Sequence, residues 1–225
     1  MANIFPKWTN KLPIQIVVGG LVVFVSVVGG MWYYFTPKYT RVGYQPVQPV
    51  NFSHAIHAGQ LGLDCRYCHS QVENSSHSNV PTSQTCMNCH GTIKATSPLL
   101  EPVRESYKSG QPIAWVRIHE VPDYVYFNHS AHVNRGISCV ECHGKINDMP
   151  VVWHHEPQSM SWCLDCHRAP ENKLRPLNQI TNLNWKPEDE PPGPDGKART
   201  RREIGEELKV AWHVNPPLNC AGCHR

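Results

Sequence analysis

The chain of 225 residues carries 21 lysines and arginines against 18 aspartates and glutamates, a formal net charge of +3, and it contains 20 prolines, 15 glycines and 10 cysteines. This length predicts one or two domains, and the many prolines and glycines discourage long regular elements. No run rich in lysine and arginine with interleaved aromatic residues is present, so nucleic acid is not an expected partner.

The first predicted element is an apolar helix at about residues 14–35, a run of 22 residues without a charge. At 1.5 Å per residue it is about 33 Å long, enough to cross the hydrocarbon layer of a membrane. The run is longer than the apolar region of a cleaved signal peptide, and it ends in bulky aromatic residues. We therefore predict a retained membrane anchor within residues 1–45, followed by a second domain at residues 46–225.

All ten cysteines fall in five copies of the motif Cys-x-x-Cys-His. Two thiols three positions apart can bond to both vinyl groups of one haem, and the adjacent histidine then coordinates the iron. One copy could also be half of a zinc site, but five copies that use every cysteine predict five covalently bound haem c groups. The attaching cysteines are Cys65, Cys68, Cys86, Cys89, Cys139, Cys142, Cys163, Cys166, Cys220 and Cys223. The proximal histidines are His69, His90, His143, His167 and His224.

Five haems in about 180 residues leave roughly 36 residues per haem, too few for a conventional core. The predicted fold is a single N-terminal transmembrane helix followed by a mainly α and irregular multihaem cytochrome c domain with little regular structure. Its core is expected to be built by the five haems. Because haem c is attached outside the bacterial cytoplasmic membrane, we expect a single-pass protein of that membrane with the haem domain on the periplasmic side.

An internal repeat divides the haem region. The pattern Phe-x-His-x-x-His begins at Phe52, before the first motif, and again at Phe127, before the third. The first and third motifs are 74 positions apart, and the second and fourth are 77 apart. The sequence thus predicts two di-haem units, at about residues 50–92 and 125–170, and a fifth haem at residues 210–225.

Nine histidines lie outside the motifs and are candidates for the sixth position of each iron. On a helix, positions i and i+3 share a face, so the two histidines of each repeated segment can reach different haems. The favoured distal ligands are His54, His57, His77, His129 and His132. Further possible distal ligands are His119, His154, His155, His213, Met149 and Met160. The pairing of ligands with irons stays open at this point.

One late segment has helical character. Residues 197–210 follow a loop rich in proline and glycine, and they carry charges of both signs. We interpret this segment as a solvated surface helix in preference to one that docks a partner.

The surplus of ligands favours electron transfer over substrate chemistry. Candidate ligands outnumber the five irons, so six-coordinate haems are expected and no catalytic residue is predicted on this chain. The sequence also has no Gly-x-Gly-x-x-Gly fingerprint, no P-loop and no remaining cysteine for an iron–sulfur cluster.

Five segments carry a family resemblance: Tyr39–Val50, Phe52–His57, Tyr126–His132, Gly136–Gly144 and Met160–Arg168. They resemble the pentahaem, membrane-anchored cytochrome c subunit of bacterial alternative complex III, and the likeness covers nearly the whole chain. The resemblance implies that multi-helix membrane subunits oxidise quinol elsewhere in a respiratory complex. It also implies that electrons pass through this chain, near a mono-haem cytochrome c and an iron–sulfur subunit, toward a periplasmic electron carrier.

Two other functions stay open. The chain could be a self-sufficient, membrane-anchored quinol dehydrogenase cytochrome, which a haem without a strong distal ligand near the membrane would support. It could also be a multihaem reductase with one open haem, which a high-spin signal in the oxidised protein would support.

Overall fold

The computed structural model describes residues 5–35 and 41–224. The chain divides into two compact units, Met1–Val42 and Gly43–Arg225. Tyr39, the first residue of the first resemblance segment, lies outside the described residues. The predicted division after position 45, and the bounds of the two di-haem units, stay predictions.

The first unit is built around one apolar helix. A short 3-10 helix, Lys7–Lys11, leads into α1, Leu12–Phe35, which has no buried residue. The helix begins two residues before the predicted start because Pro13 lies in its first turn, where a missing N–H costs no hydrogen bond. The predicted apolar N-terminal helix is confirmed. Its length and composition suit both a membrane span and a signal sequence, so its retention as an anchor stays a prediction.

The second unit consists of short helices joined by turns and loops. Across residues 41–224 the structure contains no strand, and one isolated bridge pairs Ile137 with Leu174. A six-residue π-helix, Ala55–Gln60, precedes the first motif. The predicted α and irregular fold is therefore confirmed. The α-helices are α2 (Cys65–Cys68), α3 (Ser83–His90), α4 (Glu101–Ser109), α5 (His129–Val133), α6 (Val140–His143), α7 (Met160–Arg168), α8 (Arg201–Ala211) and α9 (Cys220–Cys223).

Few hydrophobic side chains of the second unit are buried. Val72, Val133 and Ile180 form one small cluster, against which Cys139 packs. The other buried hydrophobic residues are Val50, Val103, Met149, Leu174, Leu183, Trp185 and Ile204. A domain of this length with so small a side-chain core needs a further source of apolar burial, which the sequence predicts to be the haems.

Helix α8 differs from its predicted form. It begins at Arg201 because Thr200 and Glu203 form a capping box, in which each side chain accepts a hydrogen bond from the other's backbone N–H. Ile204 and Gly205 are buried, and a side chain at Gly205 would overlap the carbonyl oxygen of Glu171. One face of the helix is therefore packed against the domain, and only the other is solvated.

Candidate haem-binding sites

The two repeated segments fold into the same local geometry. Phe52 stacks on His57 at 4.4 Å between ring centroids and meets His54 edge-on at 4.8 Å. Phe127 stacks on His132 at 4.6 Å and meets His129 edge-on at 4.8 Å. The phenylalanine thus fixes both imidazoles in each copy, which supports the prediction of a repeated unit from two separate parts of the chain.

Three pairs of histidine rings lie at a centroid spacing that fits an iron between them. The centroid separations are 6.1 Å for His57 and His90, 6.2 Å for His132 and His167, and 6.4 Å for His129 and His143. A metal–imidazole bond is about 2.0 Å long and the centroid lies about 1.2 Å behind the bonding nitrogen, so a bis-histidine metal separates two centroids by roughly 6 Å. Each pair joins a motif histidine to a histidine of a repeated segment. His69 and His224 are not among these pairs.

In seven histidines of the motifs and repeated segments, Nδ1 forms a hydrogen bond with a backbone carbonyl oxygen. Because a carbonyl oxygen only accepts, Nδ1 must donate, which leaves Nε2 without its proton and able to bind a metal. Donor–acceptor distances run from 2.7 Å to 3.1 Å. The bonds are His57 to Ser53, His69 to Asn79, His90 to Ile93, His129 to Ser76, His132 to Asn128, His167 to Pro217 and His224 to Tyr124.

His143 differs from the other motif histidines, all of which lie in the described ranges. Its Nδ1 is buried and makes no hydrogen bond, and His119 meets its ring edge-on at 4.3 Å. Burial lowers the pKa of His143 well below its ordinary value, and it lowers the pKa of both His54 and His119 to about 4. These rings are neutral near pH 7, which is the form that binds a metal.

The remaining candidate ligands lie in varied surroundings. His154 is buried, 5.2 Å from His119, whereas His77 and His213 are exposed. His155 contacts Glu156 at 3.1 Å. Met149 is fully buried and Met160 is 64% exposed. The structure therefore brings His54, His57, His119, His129 and His132 together with the motif histidines, and it leaves His77, His213 and Met160 at the surface.

Cysteine side chains from different motifs lie next to one another, which shows which motifs are neighbours. The neighbouring Cys65 side chain and burial raise the pKa of the Cys139 thiol. Burial and the neighbouring Cys86 raise the pKa of Cys68, and the Asn88 amide donates to the Tyr67 hydroxyl at 3.2 Å between the same two motifs. The first motif therefore lies next to both the second and the third.

The later motifs continue this line. Burial and the neighbouring Cys166 raise the pKa of Cys142 to about 12, which places the fourth motif beside the third. Burial and Cys223 raise the pKa of Cys163, and His167 donates to a carbonyl just before the fifth motif. The spatial order of the motifs is second, first, third, fourth and fifth, which differs from their order in the sequence.

The third motif also contains a buried charge cluster that sequence reasoning missed. Glu141, 10% exposed, accepts hydrogen bonds from Arg175 at 2.8 Å, Arg201 at 2.7 Å and Lys173 at 2.9 Å. Burial alone would raise the pKa of Glu141, but the bonds from Lys173 and Arg201 outweigh it and hold that pKa below its ordinary value. Three cations converge on one carboxylate here, and they come from segments up to 60 positions away.

Comparison with known proteins agrees with this geometry. The chain matches the family of cytochrome c7 and related cytochrome c over residues 50–108 and 125–225. It belongs to that family. Membership in the cytochrome c7 family implies covalently bound haem c and a role in electron transfer, and the described cysteines and paired histidines fit that cofactor.

Two relatives extend the comparison. The multihaem cytochrome c subunit of menaquinone reductase from Nitratidesulfovibrio vulgaris is 32% identical over 177 residues, which cover 74% of this chain and 75% of that protein. The cytochrome subunit of acrylate reductase from Shewanella woodyi is 24% identical over 111 residues, covering 49% of this chain and 68% of that protein. Both relatives of this cytochrome c7 chain are cytochrome subunits of redox enzymes.

Proposed function

We propose that this chain is the five-haem electron-transfer subunit of a membrane quinol-oxidising complex of the alternative complex III type. The observation that carries the proposal is the set of three histidine pairs spaced 6.1–6.4 Å apart, since they suit closed, six-coordinate irons. The family resemblance of the five segments supports the choice of complex. No substrate chemistry is assigned to the chain itself.

Each histidine pair gives a ligand assignment. His57 and His90 serve the second site, His132 and His167 the fourth, and His129 and His143 the third. The repeat relates His54 to His129, so we assign His54 to the first site with His69, whose charge is among those that lower the pKa of His54. The cysteines of the five motifs form the thioether bonds, one pair for each haem.

One-electron exchange is the chemistry that haem c supplies when bound. The chain holds the five sites in a line, and backbone carbonyls fix the orientation of the axial rings before and after each transfer. The line ends at the second motif on one side and at the fifth on the other. Electrons enter at one end and leave at the other, toward a periplasmic carrier.

The family resemblance implies both the membrane location and the partner subunits of the chain. Helix α1 anchors the chain in the cytoplasmic membrane, and the second unit lies on the periplasmic side. Its partners are multi-helix quinol-oxidising subunits, a mono-haem cytochrome c and an iron–sulfur subunit.

The test is a haem assay combined with redox-resolved EPR on the detergent-solubilised holoprotein. We expect five haems per chain and low-spin signals throughout. A count below five contradicts the attachment assignment, and a high-spin haem in the oxidised protein contradicts the closed-site assignment. Recovery of the full-length mature chain without detergent contradicts the anchor.

A second candidate is a subunit of a menaquinone reductase, which the 32% identical relative favours. The two functions differ in the direction of electron flow. In the purified complex, added menaquinol reduces oxidised haems if the complex oxidises quinol, whereas added menaquinone reoxidises reduced haems if the complex reduces menaquinone. Haem absorbance after each addition distinguishes the two.

A further inference from the structure

The charge cluster of the third motif has no place in haem attachment or axial ligation. Glu141 stands between the two attaching cysteines of that motif, and its side chain is 10% exposed. Arg175 is 1% exposed, and its guanidinium lies over the Trp185 ring at 4.9 Å. An enclosed cation is costly unless it is paired, and Glu141 is the partner that compensates Arg175.

Arg175 reaches the third motif with both its backbone and its side chain. Its N–H donates to the Gly136 carbonyl at 3.0 Å, just before the motif, and its guanidinium donates to Glu141 at 2.8 Å inside the motif. The guanidinium also donates to the Asn182 carbonyl at 3.1 Å. These contacts fix the position of a positive charge relative to the third motif.

Cations outnumber the carboxylate within the Glu141 cluster, and Glu156 is a second carboxylate that acts on the same motif, at Cys142. One carboxylate, Glu141, meets the cations of Lys173, Arg175 and Arg201 within 2.7–2.9 Å. A positive charge favours the more negative, reduced state of a neighbouring redox centre. Low exposure limits the screening of Arg175 and Glu141, whereas the side chains of Lys173 and Arg201 are 46% and 35% exposed.

The fourth motif offers an internal comparison. Asp165 occupies the same position in its motif as Glu141 does, but its side chain is 78% exposed. Arg168, 61% exposed, lies 3.7 Å away. The same motif position is therefore buried among three cations at one site and solvated beside one cation at the next.

We propose that Arg175 and Glu141 set the reduction potential of the haem attached at Cys139 and Cys142, as positioning residues that act through fixed charge. The Arg175 cation raises this potential, and the Glu141 carboxylate lowers it. The inference rests on the proposed function in one respect, the attachment of a haem at the third motif.

The test is spectroelectrochemical titration of the detergent-solubilised holoprotein and its variants. Arg175→Met removes a cation and lowers one of the five potentials, whereas Glu141→Gln removes an anion and raises that same potential. Each shift is about tenfold in the ratio of reduced to oxidised haem at a fixed applied potential, about 59 mV for one electron. Arg175→Lys keeps the charge and restores most of the lost potential.

Opposite signs separate fixed charge from support of the fold, because loss of support alone moves both variants in one direction. Asp165→Asn is the matched control, with a shift below about twofold because its charge is screened by solvent. Should Arg175→Met not fold, Lys173→Met removes another cation from the same carboxylate, and its shift is compared in sign with that of Glu141→Gln. Five intact haems with unchanged potentials, or shifts of the same sign, overturn the tuning proposal. A missing haem at the third motif overturns the attachment on which it rests.

Discussion

At the scale of single residues, the repeated segments show how a short pattern prepares a ligand. In each copy the phenylalanine stacks on the second histidine, and a carbonyl four positions earlier accepts from its Nδ1. Both constraints lie within one short stretch of chain. The ring is therefore oriented locally. Its partner histidine comes from the second motif in the first copy and from the fourth motif in the second copy.

Replacement of His132 tests the ligand assignment. His132→Ala removes the ring that faces His167 at 6.2 Å, so we expect one of the five haems to become high-spin. EPR of the oxidised protein measures the change. Val210→Ala, at a side chain 74% exposed that is not a candidate ligand, serves as the comparison and should keep all haems low-spin. Five low-spin haems in His132→Ala contradict the assignment.

Acid provides a second test, at Asp64. Its carboxylate caps α2 by accepting from the Arg66 N–H at 2.8 Å, and the Arg66 side chain lowers its pKa from 3.8 to about 2. A lowered pKa means that the unfolded chain binds the proton first, so the stabilisation is full above about pH 4 and is lost as the pH falls toward 2. Asp64→Asn should remove this part of the acid dependence, measured as the difference between the Soret circular dichroism titrations of the variant and the native protein. Identical titrations contradict it.

At the scale of elements, the position of α8 depends on the close approach of its backbone at Gly205 to the backbone at Glu171. Gly205 faces the Glu171 carbonyl oxygen, and Lys209 bonds the Glu171 carboxylate at 2.8 Å on the same face. The helix thus packs against the turn that follows the fourth motif. A larger residue at position 205 has no space.

Gly205→Ala should therefore destabilise the domain, by about 1–3 kcal/mol as overpacked sites do. Thermal unfolding followed by Soret absorbance measures the effect. Val210→Ala, at a side chain 74% exposed on the same helix, is the control and should change the melting temperature little. Equal melting temperatures for both variants contradict the packing described for α8.

The sequence allowed prediction of some elements and not of others. The apolar helix and the short helices around the motifs follow from patterns local in the chain. Helix α4 was missed, although Pro102 in its first turn and left-handed Gly110 at its end are recognisable signals. The packed face of α8 was also missed, because burial of Ile204 depends on contacts with Pro170–Asn172 that no local pattern encodes.

At the scale of the whole molecule, haem attachment is expected to control folding. The small cluster of Val72, Val133 and Ile180 cannot offset the conformational entropy of about 180 ordered residues. The protein expressed without haem attachment should be cleaved by proteases throughout Gly43–Arg225, whereas the holoprotein should resist cleavage. Limited proteolysis of both preparations measures this, and equal resistance contradicts it.

The sequence predicts the candidate ligands as a set, but it does not predict which ligand pairs with which iron. Counting motifs and surplus histidines gave the candidates, but pairing depends on which rings face each other across a site. His129 and His143 belong to segments whose apposition cannot be read from spacing alone. The spatial order of the motifs was likewise hidden, since the first and third motifs meet through Cys65 and Cys139, 74 positions apart.

The bond from His129 to the Ser76 carbonyl ties α5 to the loop that follows the first motif. The Ser130 N–H also donates to the Ser75 carbonyl, and the Asn134 amide donates to the Glu73 carbonyl at 2.8 Å. The start of α5 is thus held by carbonyls of residues 73–76. Local opening of that loop would release α5 at the same time, so the two segments should exchange their amide protons together.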